Sequence, residues 1–234
     1  MLVLRRDQVR RIDEAAVRLL GISSLVLMEN AARGLAEVIL GAGSWDQILI
    51  VAGPGNNGGD GFAAARLLVA AGFPLAQIRV LLVRGGKDLS ADAAVNREIL
   101  LRGGMRVEEP DAAGAAAVIR QLRSGSVLVD ALLGTGVRGI VKDPFCEVIR
   151  AINGCAATRI AVDVPSGMDC DKGEACGDAV RADQTVTFVA LKPGFLTEAG
   201  RRFCGTVHVR PIGVPVEWLR GAYESDDFEC AGAG

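Results

Sequence analysis

The strongest constraint on how this chain can fold is an alternation. Short apolar runs are separated by longer segments with helical periodicity. Ile48-Leu49-Ile50-Val51 is the first such run, and it leads straight into glycine-rich sequence. Similar runs follow at residues 78–83, 127–131, 160–164, 185–189 and 206–209, with helical segments near 62–71, 91–101, 112–122 and 144–152. A short run that stays apolar reads as a strand buried on both faces. Strands alternating with helices predict an α/β fold whose mostly parallel sheet is covered on both sides.

Two helices are expected ahead of the first strand. Val9, Ile12, Ala16, Leu19 and Leu20 recur at helical spacing over residues 7–20. The second helix would start after Ser23 or Ser24, either of which can cap it, and run to about Leu40 with Met28 in the core. Asp143-Pro144 predicts another helix start, with a capping carboxylate and then proline at the first helical position. Residues 1–224 read as one domain, long enough for a substantial core. Residues 225–234 are small or acidic and read as a disordered tail.

Composition narrows the function. The net charge is −2 and aromatic residues make up 4%, which argues against nucleic acid and anionic membranes as partners. No apolar run is long enough to span a bilayer, and Arg5-Arg6 interrupt the start where a signal peptide would stay apolar, so the protein is expected in the cytoplasm. The six cysteines form no C-x-x-C pair, and the single histidine, His208, reads as a half-exposed strand residue, so a zinc site is not expected.

In a parallel sheet the loops that follow strands share one edge, where ligands bind. Four such loops carry unusual residues. Gly53-Pro54-Gly55-Asn56-Asn57-Gly58-Gly59-Asp60-Gly61 holds more glycine, asparagine and aspartate than a tight turn needs. Its backbone amides and the following helix N-terminus suit a phosphate. Asp130 is delivered by an apolar strand to Gly134-Thr135-Gly136-Val137-Arg138-Gly139-Ile140, where Arg138 can pair with a phosphate or simply be solvated. Asp163-Val164-Pro165-Ser166-Gly167 forms a stiff turn after a strand, in which Asp163 can act chemically or merely cap. Lys192-Pro193-Gly194 brings one of four lysines to the same edge, where a structural role is the plainer reading. Together these residues suit a phosphate-bearing ligand and a hard cation held by oxygens. Catalysis would be acid/base work by a carboxylate.

Gly53, Gly55 and Gly58 also match G-x-G-x-x-G, the phosphate loop of redox dinucleotide folds. Arg84, not an acidic residue, follows the second strand, which leaves an NADP-dependent oxidoreductase open. The only tyrosine is Tyr223, far along the chain, so no catalytic pair is evident. No Gly-Lys-Ser/Thr follows the glycines, which rules out a P-loop.

The sequence resembles the NAD(P)H-hydrate epimerases, the YjeF N-terminal type. The likeness is carried by Leu27-Met28-Glu29-Asn30-Ala31, the Asn56-Asn57-Gly58-Gly59-Asp60-Gly61 loop, Asp130 with Gly134-Thr135-Gly136, and Val162-Asp163-Val164-Pro165-Ser166-Gly167. It extends from about residue 7 to 215. At Ala32-Arg33 the sequence departs from the glycine usual in the family, on a helix away from the proposed site. The resemblance implies a three-layer α-β-α Rossmann-like sandwich, a homodimer, and interconversion of the R and S forms of NADHX and NADPHX. It also implies one potassium ion per subunit, with Asn57, Asp130 and Ser166 among its ligands. Substrate contacts would come from residues 56–60, 134–140 and Asp163. Asp163 is the expected acid/base, with Lys192 as a second candidate that tunes it. Many relatives carry a fused ATP- or ADP-dependent dehydratase, and the resemblance implies a functional link to such an enzyme, whether separate or fused. A non-catalytic binding module of the same fold remains the third reading.

Overall fold

A computed structural model describes residues 2–224. The tail expected to be disordered lies outside the described residues. Seven strands form one sheet in the order β3-β2-β1-β4-β5-β6-β7, and every neighbouring pair is parallel. They are β1 (Gln47–Ala52), β2 (Ile78–Leu82), β3 (Val107–Glu108), β4 (Ser126–Ala131), β5 (Thr158–Val162), β6 (Gln184–Phe188) and β7 (Thr206–Arg210). The helices are α1 (Arg6–Leu20), α2 (Ser24–Gly41), α3 (Asn56–Ala70), α4 (Ala91–Arg102), α5 (Ala112–Arg120), α6 (Phe145–Gly154), α7 (Glu198–Cys204) and α8 (Arg220–Glu224).

The unbroken apolar runs are explained by this arrangement. β4 is buried along its whole length, because helices cover both faces of the sheet. Ile48 and Ile50 of β1 pack in one layer with Ile12 of α1, Leu35 of α2, Phe62 of α3 and Leu100 of α4. Leu49 and Val51 point the other way, into a layer with Ile119 of α5 and Ile149 and Ile152 of α6. The fold is therefore a three-layer α/β sandwich, as expected.

Several boundaries differ from the sequence expectation. β3 is only two residues long, too brief to carry a periodic signal. α6 starts at Phe145 with Pro144 at its N-cap, so the Asp143 carboxylate does not cap it. Ser23 is the N-cap of α2, but its side chain makes no capping hydrogen bond. The largest shift is in α3. It starts at Asn56 rather than near Phe62, so the glycine-rich segment is the first turn and a half of a helix rather than a loop. Glycine is a poor helix former, and packing overrides that preference here. A Cβ on Gly58 would overlap the Gly53 carbonyl oxygen, and one on Gly61 would lie 2.8 Å from the Ala131 Cβ. Only glycine lets α3 seat this closely on the strand ends.

The topology sets the site. From β1 the chain moves outward through β2 to β3, then returns to β4 on the other side of β1. The loops after β1 and β4 diverge at that reversal and leave a crevice at the carboxyl edge of the sheet. Among the described residues, no helix is long and apolar enough to cross a membrane.

Candidate functional site

The crevice is a cleft of about 1000 Å³. Asn56 and Asn57 line it from the start of α3, and Gly134-Thr135-Gly136-Val137-Arg138-Gly139-Ile140 lines it from the loop after β4. Asp163 and Asp13 form part of its wall. Exposed Lys87, Arg138 and Lys142 stand around it, interspersed with exposed Asp88 and Asp143, and the N-terminal amides of α3 are available there to an anionic ligand. Gly58, Gly59 and Asp60 were expected to touch substrate, yet they do not line the cleft. They are buried, and a Cβ on Gly59 would lie 2.7 Å from the Met28 methyl carbon. The glycine signal in the sequence therefore reports helix seating as much as ligand approach.

Asp130 lies behind the wall, fully buried at the end of β4. Its Oδ2 accepts from the Ser166 N–H at 2.8 Å. Its Oδ1 accepts from the Ser166 hydroxyl at 2.6 Å and from the Leu132 N–H at 3.3 Å. The Leu133 N–H donates to Ser166 Oγ at 2.8 Å, which ties the β4 loop to the β5 turn. Burial pushes the Asp130 carboxyl up to about 6, and the donors from Ser166 and Leu132 oppose that rise. Among the described residues no lysine or arginine pairs with it. Asn57 lies against the loop after β4: a Cβ on Gly134 would meet its side chain at 3.2 Å. Both amide atoms of Asn57 are buried without a hydrogen-bond partner. An oxygen-rich set of Asn57, Asp130 and Ser166 with an unused buried amide suits a hard cation.

Asp163 lies just past β5 and is held in an unusual backbone. Its φ is 60°, and the Val164 N–H bonds back to the Val162 carbonyl at 2.7 Å, which closes a γ-turn centred on a positive-φ residue. Val189, just past the neighbouring β6, does the same, with φ 67° and the Ala190 N–H bonded to the Phe188 carbonyl. Such backbone is costly for L-residues and persists where surrounding structure holds it, often at functional sites. Here the holding group is Lys192, which has no exposed surface. Its ammonium donates to Asp163 Oδ1 at 2.8 Å, Thr187 Oγ1 at 2.6 Å and the Phe188 carbonyl at 3.0 Å. Three acceptors match the three donors of an ammonium, and Asp163 is the carboxylate among them. Lys192 does not line the cleft; Asp163 stands between it and the ligand space.

Asp13 had not been singled out from the sequence. It sits on α1 beside buried Ile12, and its Oδ1 is buried with no partner. The only sequence signal was a carboxylate at the border of the apolar face of α1. Ser90, the N-cap of α4, was also missed; its hydroxyl is buried, unpartnered and on the cleft wall. A second, smaller cavity of about 390 Å³ adjoins the cleft between α1 and α2, with Val9, Val17, Leu27 and Phe188 in its wall. The two cavities share Asp13, Asn56, Thr135 and Asp163. His208 is half-buried on β7 with its Nε2 2.9 Å from Gln184 Oε1, away from the cleft, as expected for a strand residue.

The family described as the YjeF-related protein N-terminus matches residues 24–194. The chain belongs to that family. An NAD(P)H-hydrate epimerase of Rhodopirellula baltica is 40% identical over 92% of this chain and 85% of its own length. One of Pirellula staleyi is 41% identical over 90% of this chain and 92% of its own. A protein of Archaeoglobus fulgidus named a bifunctional NAD(P)H-hydrate repair enzyme is 42% identical over 83% of this chain, which spans 38% of it. The crystal structure of a yeast protein superposes with a TM-score of 0.77 at 21% identity, covering 97% of this chain and 98% of that one, and so shares the fold.

Proposed function

We propose that the cleft interconverts the R and S forms of hydrated NADH and NADPH. The observation that carries the reading is where unsatisfied polarity sits. Apart from arginine Nε atoms, the buried side-chain nitrogens and oxygens without a partner among the described residues belong to Asp13, Asn57 and Ser90, and all three line the cleft. Buried polar atoms are normally paired, so a wall that concentrates orphans is built for a polar ligand. The named epimerase relatives supply the ligand's identity.

The hydrate carries a hydroxyl on the ring carbon next to nitrogen. The nitrogen lone pair expels it once an acid protonates it, and water returns to either face of the planar iminium. The protein must therefore hold the pyrophosphate, place an acid/base group at that carbon and admit water. The N-terminus of α3 and the loop 134–140 with Arg138 would hold the pyrophosphate. Asp163 would face the ring. The reductase reading gains nothing here. Arg84, its candidate for a 2′-phosphate, is paired with Glu109 at 3.0 Å and does not line the cleft. Tyr223 is buried on α8, outside the cleft wall.

Potassium is part of this proposal, with Asn57, Asp130 and Ser166 as residues that would hold it. The ion would balance the buried charge of Asp130 and fix the amide of Asn57 at the cleft wall. Thermal melting tests it without activity. Potassium chloride is expected to raise the melting temperature above that in choline chloride of equal ionic strength, and Asn57→Ala is expected to abolish the difference. Equal melting of the wild type in both salts removes the ion from the proposal.

We further read the enzyme as a cytoplasmic homodimer that works with a dehydratase. The five cysteines among the described residues are all free, as in a reducing compartment. Leu25 and Val26 of α2 are exposed apolar residues available to a second subunit. The test of the activity starts from mixed R- and S-NADPHX and a dehydratase that consumes only the S form. Adding this protein should make the remaining R form disappear much faster than its spontaneous epimerisation. Persistence of the R form at the background rate, with potassium present and the protein folded, removes the enzyme reading.

A further inference from the structure

Asp13 lines the cleft together with Asp163, and its unpartnered carboxyl oxygen is available for chemistry as well as for binding. We propose that Asp13 is a second catalytic acid/base of the epimerase, the group that delivers the proton to the leaving hydroxyl, while Asp163, paired with Lys192, accepts the proton of the incoming water. This inference rests on the epimerase reading and deepens it.

Three observations carry it. Asp13 and Asp163 both line the cleft and the adjoining cavity, and they arrive from different layers, one from α1 and the other from the edge of the sheet. A reaction that removes oxygen from one face of a ring and returns it to the other needs a proton donor and a proton acceptor placed independently, and two carboxyls from separate elements meet that need. The second observation is their unequal surroundings. Asp163 accepts from the Lys192 ammonium and from the Thr187 hydroxyl, at 2.8 and 3.2 Å. Asp13 Oδ1 is buried with no donor, which favours its neutral acid. One carboxyl with donors and one without divide naturally into base and acid. The third is exclusion. Asp60 is buried and lines neither cavity, and Lys192 is enclosed behind Asp163, so neither reaches a ligand; Asp88 and Asp143 also line the cleft, but both are exposed to solvent.

The electrostatics agree. Burial pushes the Asp13 carboxyl up to about 7, the Asp163 charge adds to the rise, Lys192 opposes it, and Glu14 on the same helix adds to it again. Asp60, on α3, is itself held well above the ordinary carboxylate range by burial and by the charges of Asp163, Asp13 and Asp92.

The step balances. The C–O bond breaks with its electron pair leaving on oxygen, the Asp13 proton goes to that oxygen, and water and an iminium form. Water then adds to the other face, its oxygen bonding to carbon, and its proton passes to Asp163. The proton then returns from Asp163 to Asp13 through the water of the cleft. In the reverse direction the two groups exchange roles.

The experiment is a pH profile of kcat/KM for R-NADPHX, with the wild type and Asp13→Asn compared, and NADPH titrated calorimetrically as a binding probe. The wild type should lose activity as pH rises through about 7, because the acid must hold its proton. Asp13→Asn should lose about 100-fold in kcat/KM, within the range of a general acid, keep its affinity for NADPH within about twofold, and lose that alkaline limb. Asp13→Glu should recover part of the rate. Should Asp13→Asn not fold, the wild-type profile decides alone, and a flat response from pH 6 to 9 overturns the proposal. An active wild type with an equally active Asp13→Asn overturns this assignment alone. A wild type no faster than spontaneous epimerisation overturns the epimerase reading and this assignment together.

Discussion

Asp130 and Asp163 occupy neighbouring strand ends and look alike in the sequence, each an aspartate closing an apolar run. The structure separates them. Asp130 is fully buried, and its two oxygens are pinned by the Ser166 N–H, the Ser166 hydroxyl and the Leu132 N–H, all from loops it holds together. Asp163 is about one-fifth exposed, faces the cleft, and is fixed from behind by a buried lysine on a γ-turn with positive φ. The comparison teaches that position at the sheet edge does not assign a role. What assigns it is which way the donors come from. Donors from the loops on every side make a girder, and donors from behind alone leave a face for chemistry.

The sharpest way to break this comparison is Asp163→Asn. Asparagine tolerates positive φ and keeps an oxygen for Lys192, so the fold should survive. Epimerase kcat/KM should fall by about 1000-fold, a loss of about 4 kcal/mol in transition-state stabilisation, while urea unfolding changes little. Full activity in this variant would take Asp163 out of the chemistry. Asp130→Asn should do the opposite. An amide in place of the carboxylate cannot accept from all its donors, and unfolding free energy at pH 7 should drop by about 2 kcal/mol, with a smaller loss in kcat/KM than at Asp163. A stable Asp130→Asn with dead activity would invert the two roles. The smallest effect is expected at Lys192→Met, which keeps the buried volume and removes the charge behind Asp163. Here kcat should fall about tenfold, about 1.4 kcal/mol, with KM within about twofold. A change confined to KM would mean that Lys192 acts on binding rather than on Asp163.

Much of this was open to reading before any fold was known. Alternating periodicities and glycine-proline punctuation are local properties, set by side chains a few residues apart, and they gave six of the seven strands of the sheet and the carboxyl-edge loops. Asp130 and Asp163 stood out as carboxylates at the ends of apolar runs, Asn57 as one of two adjacent asparagines in the glycine-rich segment, and Ser166 as a hydroxyl in the turn after Asp163. The glycines of 58–61 were visible, but a glycine needed for helix seating and one needed for ligand approach look identical without the neighbour it touches.

The sequence by itself thus determined the layers, the parallel sheet and the edge at which polar residues gather, since each follows from short-range pattern. Tertiary structure alone decided that Asp13, on the first helix, meets Asp163 across the cleft wall, that Lys192 is enclosed rather than exposed, and that Asn57 keeps an unpaired buried amide. Those facts depend on distances and burial between residues far apart in the chain, and such distances exist only once the helices have packed onto the sheet.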